Sequence, residues 1–171
     1  MTKGWIPVEI PTKKYIKAYI VSQLGEKPMM DRDHPIGKKL EDVLQHKTNE
    51  RKVEFSKRYN ASIRIYIHRG LFRQRGANLN ETNIKNFNLF VETMIKHRFY
   101  QLMDDFIEVL PSFEANLPEV RRRLSIDIED WSDDSMKKDY YRYRLSKGKP
   151  LLYNKIITRS VPSEKLTDAA F

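Results

Sequence analysis

The segment SDDSMKKDYYRYRLSKG, Ser132 to Gly148, concentrates the residue types that recognise a polyanion. At about 100° per residue, Met136, Tyr140 and Tyr143 share one face of a helix. Lys137, Lys138, Tyr141, Arg142, Arg144 and Leu145 spread over the rest. A guanidinium presents a planar fork that fits a guanine edge, and an ammonium neutralises a phosphate. The spacing therefore predicts Arg142 or Arg144 on base edges and Lys137 and Lys138 on phosphates, with the Tyr141 ring beside them. A solvated helix with half-buried tyrosines accounts for the same pattern equally well, so both readings stay open here.

Two other clusters carry the same chemistry. RGLFRQRG, Arg69 to Gly76, reads as a loop in which Arg69, Arg73 and Arg75 stand between glycines that let the backbone bend. A loop with arginines is most often simply solvated. What raises this one is its place after a strand whose outer face shows Arg64, Tyr66 and His68. Further on, Arg121, Arg122 and Arg123 surround the inward-pointing Val120 and Leu124 of a short helix. All these cations are candidate nucleic-acid contacts.

Catalytic chemistry finds less support. His97, Gln101, Asp104 and Glu108 fall on one helical stripe, spaced four, three and four, and could in principle hold a divalent ion. The stripe lies opposite the apolar face of its helix, so it is expected to be solvated, and no strand-borne carboxylate cluster completes a nuclease-like site. His34, His46 and His68 show no ligand spacing. The chain has no cysteine, no Gly-rich phosphate loop with its lysine, no GxSxG and no HExxH. The expectation is a protein without catalytic residues, metal or cofactor.

Composition bounds the rest. The 171 residues fit one domain, or one domain with a small appendage, and 40% hydrophobic content with 2 Trp, 9 Tyr and 8 Phe argues against disorder. The net charge of +9 is segregated. Residues 51–75 carry eight basic and one acidic group, residues 136–159 again eight and one, and residues 76–135 between them six and twelve. Uniform solubility does not ask for two such blocks, whereas a polyanionic partner does. No apolar run approaches a membrane span and the first residues lack a signal-peptide core, so a soluble, unprocessed, intracellular chain with no membrane partner is expected.

The element that positions these clusters is a helix over 81–110. Ile84, Phe87, Val91, Met94, Ile95, Phe99, Leu102, Met103, Phe106, Val109 and Leu110 recur at three- and four-residue steps. Asn80 is its N-cap, Leu79 a hydrophobic staple onto Ile84, and Pro111 its limit. Phe87, Val91, Ile95, Leu102 and Phe106 should be buried on one face. Before it, WIPVEI (5–10) predicts an edge strand, Thr12 caps a helix through Leu24 with Gly25 beyond, and Asp33 opens a short helix through Leu44 that Gly37 weakens. Residues 45–52 read as an exposed connection. Val53 and Phe55, then Ile63, Ile65 and Ile67, alternate as a hairpin turning near Asn60. After the long helix, Asn116 caps a helix over 117–125, and Ser132 caps another over 133–147 with Trp131 stapled onto Met136 and Gly148 at its end. Leu151 to Ile157 form an apolar tail that covers the sheet or docks on a neighbouring subunit, and 160–171 read as flexible.

The pair 117–125 and 133–147 resembles a helix-turn-helix, with about seven linking residues where three or four are usual. LNETNIKNFN (Leu79 to Asn88) and WSDDSMKKDYYRYR (Trp131 to Arg144) resemble a group of small uncharacterised proteins of prophages and mobile elements in gut Bacteroidetes. The similarity covers most of the chain, including the opening strand and helix, and implies a context without supplying a catalytic residue.

The resulting expectation is a mostly helical α+β fold. An α+β core (1–110) has a small antiparallel sheet packed on the long central helix, followed by a helix-turn-helix-like pair (111–150) and a tail (151–171). The expected function is non-enzymatic nucleic-acid binding, DNA before RNA, as a regulator or replication accessory of a phage or mobile element in the host cytoplasm. The alternative is a virion or assembly protein, such as a connector or adaptor subunit, whose basic surface contacts a nucleic acid or an acidic neighbour. Under either reading the apolar tail 151–157 is the candidate surface for a homo-oligomer or assembly partner.

Overall fold

In the computed structural model, residues 4–46, 59–150 and 152 are described. Helices account for 60% of them, with a two-stranded antiparallel sheet, which is the mostly helical α+β fold the periodicities predict. The elements are β1 (Trp5–Thr12), α1 (Lys14–Leu24), α2 (Pro35–Val43), β2 (Ala61–His68), α3 (Arg69–Arg75), α4 (Glu81–Val109), α5 (Phe113–Leu124) and α6 (Asp133–Ser146).

Helix α4 is the axis of the molecule, unbroken for 29 residues, or about 43 Å at 1.5 Å per residue. The Asn80 side chain accepts from the Asn83 backbone N–H at 2.7 Å and so caps its start. Phe87, Val91, Ile95, Phe99 and Met103 are fully buried and Leu102 nearly so. Phe106 differs from the expectation: it is only half-buried, lying at the rim of the core with the Arg123 guanidinium over its ring at 4.7 Å. Val109, 85% exposed, and Leu110 run past the core into solvent.

β1 pairs with β2 in the register Trp5↔His68, Pro7↔Tyr66, Glu9↔Arg64 and Pro11↔Ser62. Ile63, Ile65 and Ile67 turn inward with Val8 and Ile10, leaving Arg64 and His68 outside and Tyr66 half-buried, as their alternation predicts. The predicted partner strand around Val53 and Phe55 lies outside the described residues. On its far edge β2 meets Pro28–Met30: the Tyr66 N–H donates to Pro28 O and its carbonyl accepts from Met30 N, each at 2.8 Å. Tyr66 thus turns its backbone away from β1, so its partner Pro7, and by alternation Trp5, Glu9 and Pro11, aim theirs at the opposite, outer edge. The Pro11 carbonyl accordingly reaches outward to Asn88 Nδ2 at 2.9 Å.

Several local expectations shift for physical reasons. Thr12 is no N-cap. It ends β1 fully buried, and its hydroxyl donates to Asn88 Oδ1 at 2.6 Å, while Asn88 Nδ2 also donates to Ile84 O. That saturated buried amide ties the strand to α4. Lys13 takes the cap position without a side-chain bond, and the Asn60 side chain accepts from Lys14 N–H instead. His34, not Asp33, caps α2 through Nδ1. Gly37 there is obligatory because a Cβ would meet the Asp31 carbonyl oxygen at 1.9 Å. The predicted loop 69–76 is the helix α3, held down by buried Leu71 and ended by Gly76 at φ 79°. Gln45 and Asn78 bridge each other, so the connection after α2 starts paired. Finally, α5 is capped by Ser112, whose hydroxyl accepts from Ala115 N, and Asn116 lies buried inside the helix with Nδ2 donating to Leu110 O.

The core is continuous across all these elements. Phe113, Leu117 and Val120 of α5, Met136 and Tyr140 of α6, and Leu152 of the tail belong to the same cluster as Val91 and Phe99. The rest of the apolar tail and the segment 160–171 lie outside the described residues.

Candidate nucleic-acid interface

The structure divides the cations picked out by the sequence into a paired set and an open set. Helix α6 starts as expected, with Ser132 as N-cap and Asp133 and Asp134 in the first turn, where they complement the dipole. Its inner face then extends further round than Met136, Tyr140 and Tyr143.

Arg144 is buried, 6% exposed, which corrects its expected outward placement. It follows Tyr140 by four residues, one turn along the same face. Its Nε and Nη2 donate to Pro150 O at 3.0 and 2.8 Å, and Nη1 donates to Tyr140 Oη at 3.1 Å. An arginine closed into that network does not reach a base edge.

Asp104 anchors the other side and is likewise not part of a solvated stripe. It accepts from Tyr140 Oη at 2.8 Å, Tyr143 Oη at 3.2 Å and Lys149 Nζ at 2.8 Å. Burial works to raise its carboxyl, but hydrogen bonds from Lys149 and Tyr140 and the Lys149 charge outweigh it, holding Asp104 below its ordinary value. Burial pushes the Tyr140 hydroxyl up, so it stays a donor to Asp104. A carboxyl depressed in the folded state stabilises it above the unfolded value, and that stability is lost as pH falls through the folded one. Asp104→Asn is therefore expected to flatten the loss of stability below about pH 4, the ordinary carboxylate range, in urea titrations across acid pH. Among the described residues, no group of three or more His, Asp or Glu side chains is placed to hold a metal ion.

Lys137 pairs with Glu114 of α5, and Arg142, 77% exposed, approaches Asp139 at 3.6 Å. Tyr141 is half-buried with its ring 6.2 Å from Phe113. Lys138 and Lys147 stand exposed with no carboxylate partner among the described residues. The Arg121–Arg123 cluster is also engaged. Arg121 bonds Asp133 and the carbonyls of Ile126 and Trp131, whereas Arg122 and Arg123 both grip Glu119 and hold its carboxyl down to about 2. The link between α5 and α6, from Ser125 in the left-handed region to Ser132, is eight residues and departs further from a helix-turn-helix.

The open set lies on α3 and the outer face of the sheet. Arg69, Arg73 and Arg75 are exposed and none meets a carboxylate among the described residues. Arg64 is partly neutralised by Glu9 at 3.9 Å, whose other oxygen accepts from Ser62 Oγ. His68 caps α3: its Nδ1 accepts from Gly70 N–H at 3.2 Å, which leaves the proton on Nε2. The Trp5 ring meets it edge to face at 5.7 Å and fixes its orientation.

Beside α3 an open depression of about 320 Å³ is lined by Met30, Arg32, His68, Gly70, Leu71 and Gln74. Phe72 is 39% exposed, an aromatic ring among arginines. Neither Phe72 nor Gln74 was singled out for binding from the sequence. The signal available was the aromatic residue inside an arginine-rich segment. No protein-family model matches the chain, and no curated protein or solved structure does either.

Proposed function

We propose that this chain binds nucleic acid, DNA first, without catalysing a reaction on it, and that the α3 face carries the contact, as in a regulator or replication accessory of a phage or mobile element. The observation that supports this reading is the asymmetry of pairing. Arg121, Arg122, Arg123, Arg144 and Lys137 are tied to carboxylates or carbonyls, whereas Arg69, Arg73 and Arg75 leave three guanidiniums exposed on one short helix. Holding like charges together with no counter-charge among the described residues costs folding stability, and a phosphate backbone offsets that cost when it binds. The assembly-protein reading draws on a different feature, the exposed Val109 and Leu110 at the end of α4.

The test is a salt titration of binding to duplex and single-stranded DNA, with the oligomeric state measured alongside. The parent should bind with an affinity that falls steeply with salt. Arg69→Glu, Arg73→Glu and Arg75→Glu together should weaken binding and reduce the slope of log K against log salt by about 0.7 to 0.9 for each phosphate that is no longer neutralised. A second variant, Lys138→Glu with Arg142→Glu, reports the share of α6. No binding by the parent at physiological salt, with a ring or filament in solution, would overturn the nucleic-acid reading in favour of assembly.

A further inference from the structure

Resting on the nucleic-acid reading, we infer that the α3 face takes a single strand: one base stacks on Phe72, the next enters the depression beside Gln74, and Arg69 and Arg73 hold the phosphates between them.

Helix geometry supplies the order. At about 100° per residue, Arg69 and Arg73 form one row on α3. Phe72 lies roughly a quarter turn to one side of that row and Gly70 and Gln74 a similar angle to the other. Gly70 and Gln74 line the depression. An aromatic ring, a cationic row and a pocket therefore follow one another across the helix, the sequence that base, phosphate and base make along an unpaired strand.

The pocket suits a base. Its volume of about 320 Å³ is at the lower end for small-molecule sites, enough for one flat ring system and its sugar. Met30 and Leu71 give it an apolar floor, and Gly70 leaves its rim without a side chain. Around that floor stand the Gln74 amide, with both a donor and an acceptor, the His68 ring, whose Nε2 is a donor, and Arg32, shared with Glu41 at 3.2 Å. A duplex would keep its bases stacked and paired, where neither Phe72 nor the depression could reach their faces. With Leu71 buried beneath α3 and His68 held by Trp5 and Gly70, the platform is rigid before a strand arrives.

The experiment compares three probes at fixed salt: a single-stranded DNA, its duplex, and the same strand with abasic sites throughout its middle. The parent should bind the intact strand more tightly than either of the others. Phe72→Ala, which removes a ring already partly in solvent, should weaken the intact strand about 5- to 150-fold, leave the abasic strand unchanged, and recover with Phe72→Trp. Arg69→Glu with Arg73→Glu should weaken all three probes. Thermal melts establish that each variant is folded. Equal binding of the intact and abasic strands, or a folded Phe72→Ala that binds like the parent, overturns the single-strand inference. If the arginine pair still matters in that case, the nucleic-acid reading stands alone. A folded arginine variant that binds all three probes like the parent overturns the single-strand inference and the placing of the contact on α3, and a parent that binds none of the probes overturns the nucleic-acid reading itself.

Discussion

Phe99→Ala should destabilise the fold by about 3 to 5 kcal/mol, lowering the melting temperature by on the order of 10 °C for a chain of this size. Phe99 is fully buried at the middle of α4 and serves three elements at once. Its ring meets Trp131 at 5.1 Å, Tyr100 at 5.5 Å and Tyr140 at 6.0 Å, so it joins the long helix to the connection before α6 and to α6 itself. These partners are large and rigid and are themselves pinned, Tyr140 by Asp104 and Arg144, so the cavity has little means to collapse. Urea denaturation checks the value. A loss below about 1 kcal/mol would mean that α6 is not fastened to α4 through this ring.

Arg144→Ala is expected to cost about 2 to 4 kcal/mol, whereas Arg142→Ala two residues earlier should stay within about 0.5 kcal/mol. The contrast follows from what each side chain touches. Arg144 donates twice to the Pro150 carbonyl and once to Tyr140, with its guanidinium 5.7 Å from the Tyr140 ring and Nη1 3.8 Å from Asp104, so its removal takes away the Pro150 carbonyl's two donors and a positive charge beside the partly buried Asp104. Among the described residues, Arg142 pairs with Asp139 alone, across 3.6 Å and largely in water. Denaturant titrations of both variants, with DNA binding measured on the folded fraction, separate the roles. Unchanged stability together with weakened binding in Arg144→Ala would return this residue to the surface reading that its type first suggested.

The long helix was legible because its apolar period persists for many turns and its start is specified locally by Asn80. The inner face of β2 was legible because three isoleucines alternate with polar residues. The candidate site was legible only as an inventory of cations. Which of them are free depends on carboxylates distant in sequence, such as Glu114 for Lys137, and on backbone carbonyls such as that of Pro150, which carry no mark in the residue string. Arg144 did carry a signal, its four-residue step from Tyr140, but residue type outweighed spacing there. Helix α3 was missed because seven residues are too few to display a period. It forms because His68 caps it, a local contact made by a residue outside the usual capping types, and because Leu71 sinks into the core, a tertiary one.

The prolines of β1 guard the molecule against itself. An unpaired strand edge is a template on which a second chain can add a strand, and such additions propagate into fibres. Of the four residues of β1 that aim their backbone outward, Pro7 and Pro11 have no N–H to offer, and the Pro11 carbonyl is already taken by Asn88. An incoming strand would find donors only at Trp5 and Glu9, too sparse to continue a ladder. Among the described residues, the outer edge of β1 thus offers an incoming strand a broken row of donors, which disfavours edge-to-edge addition.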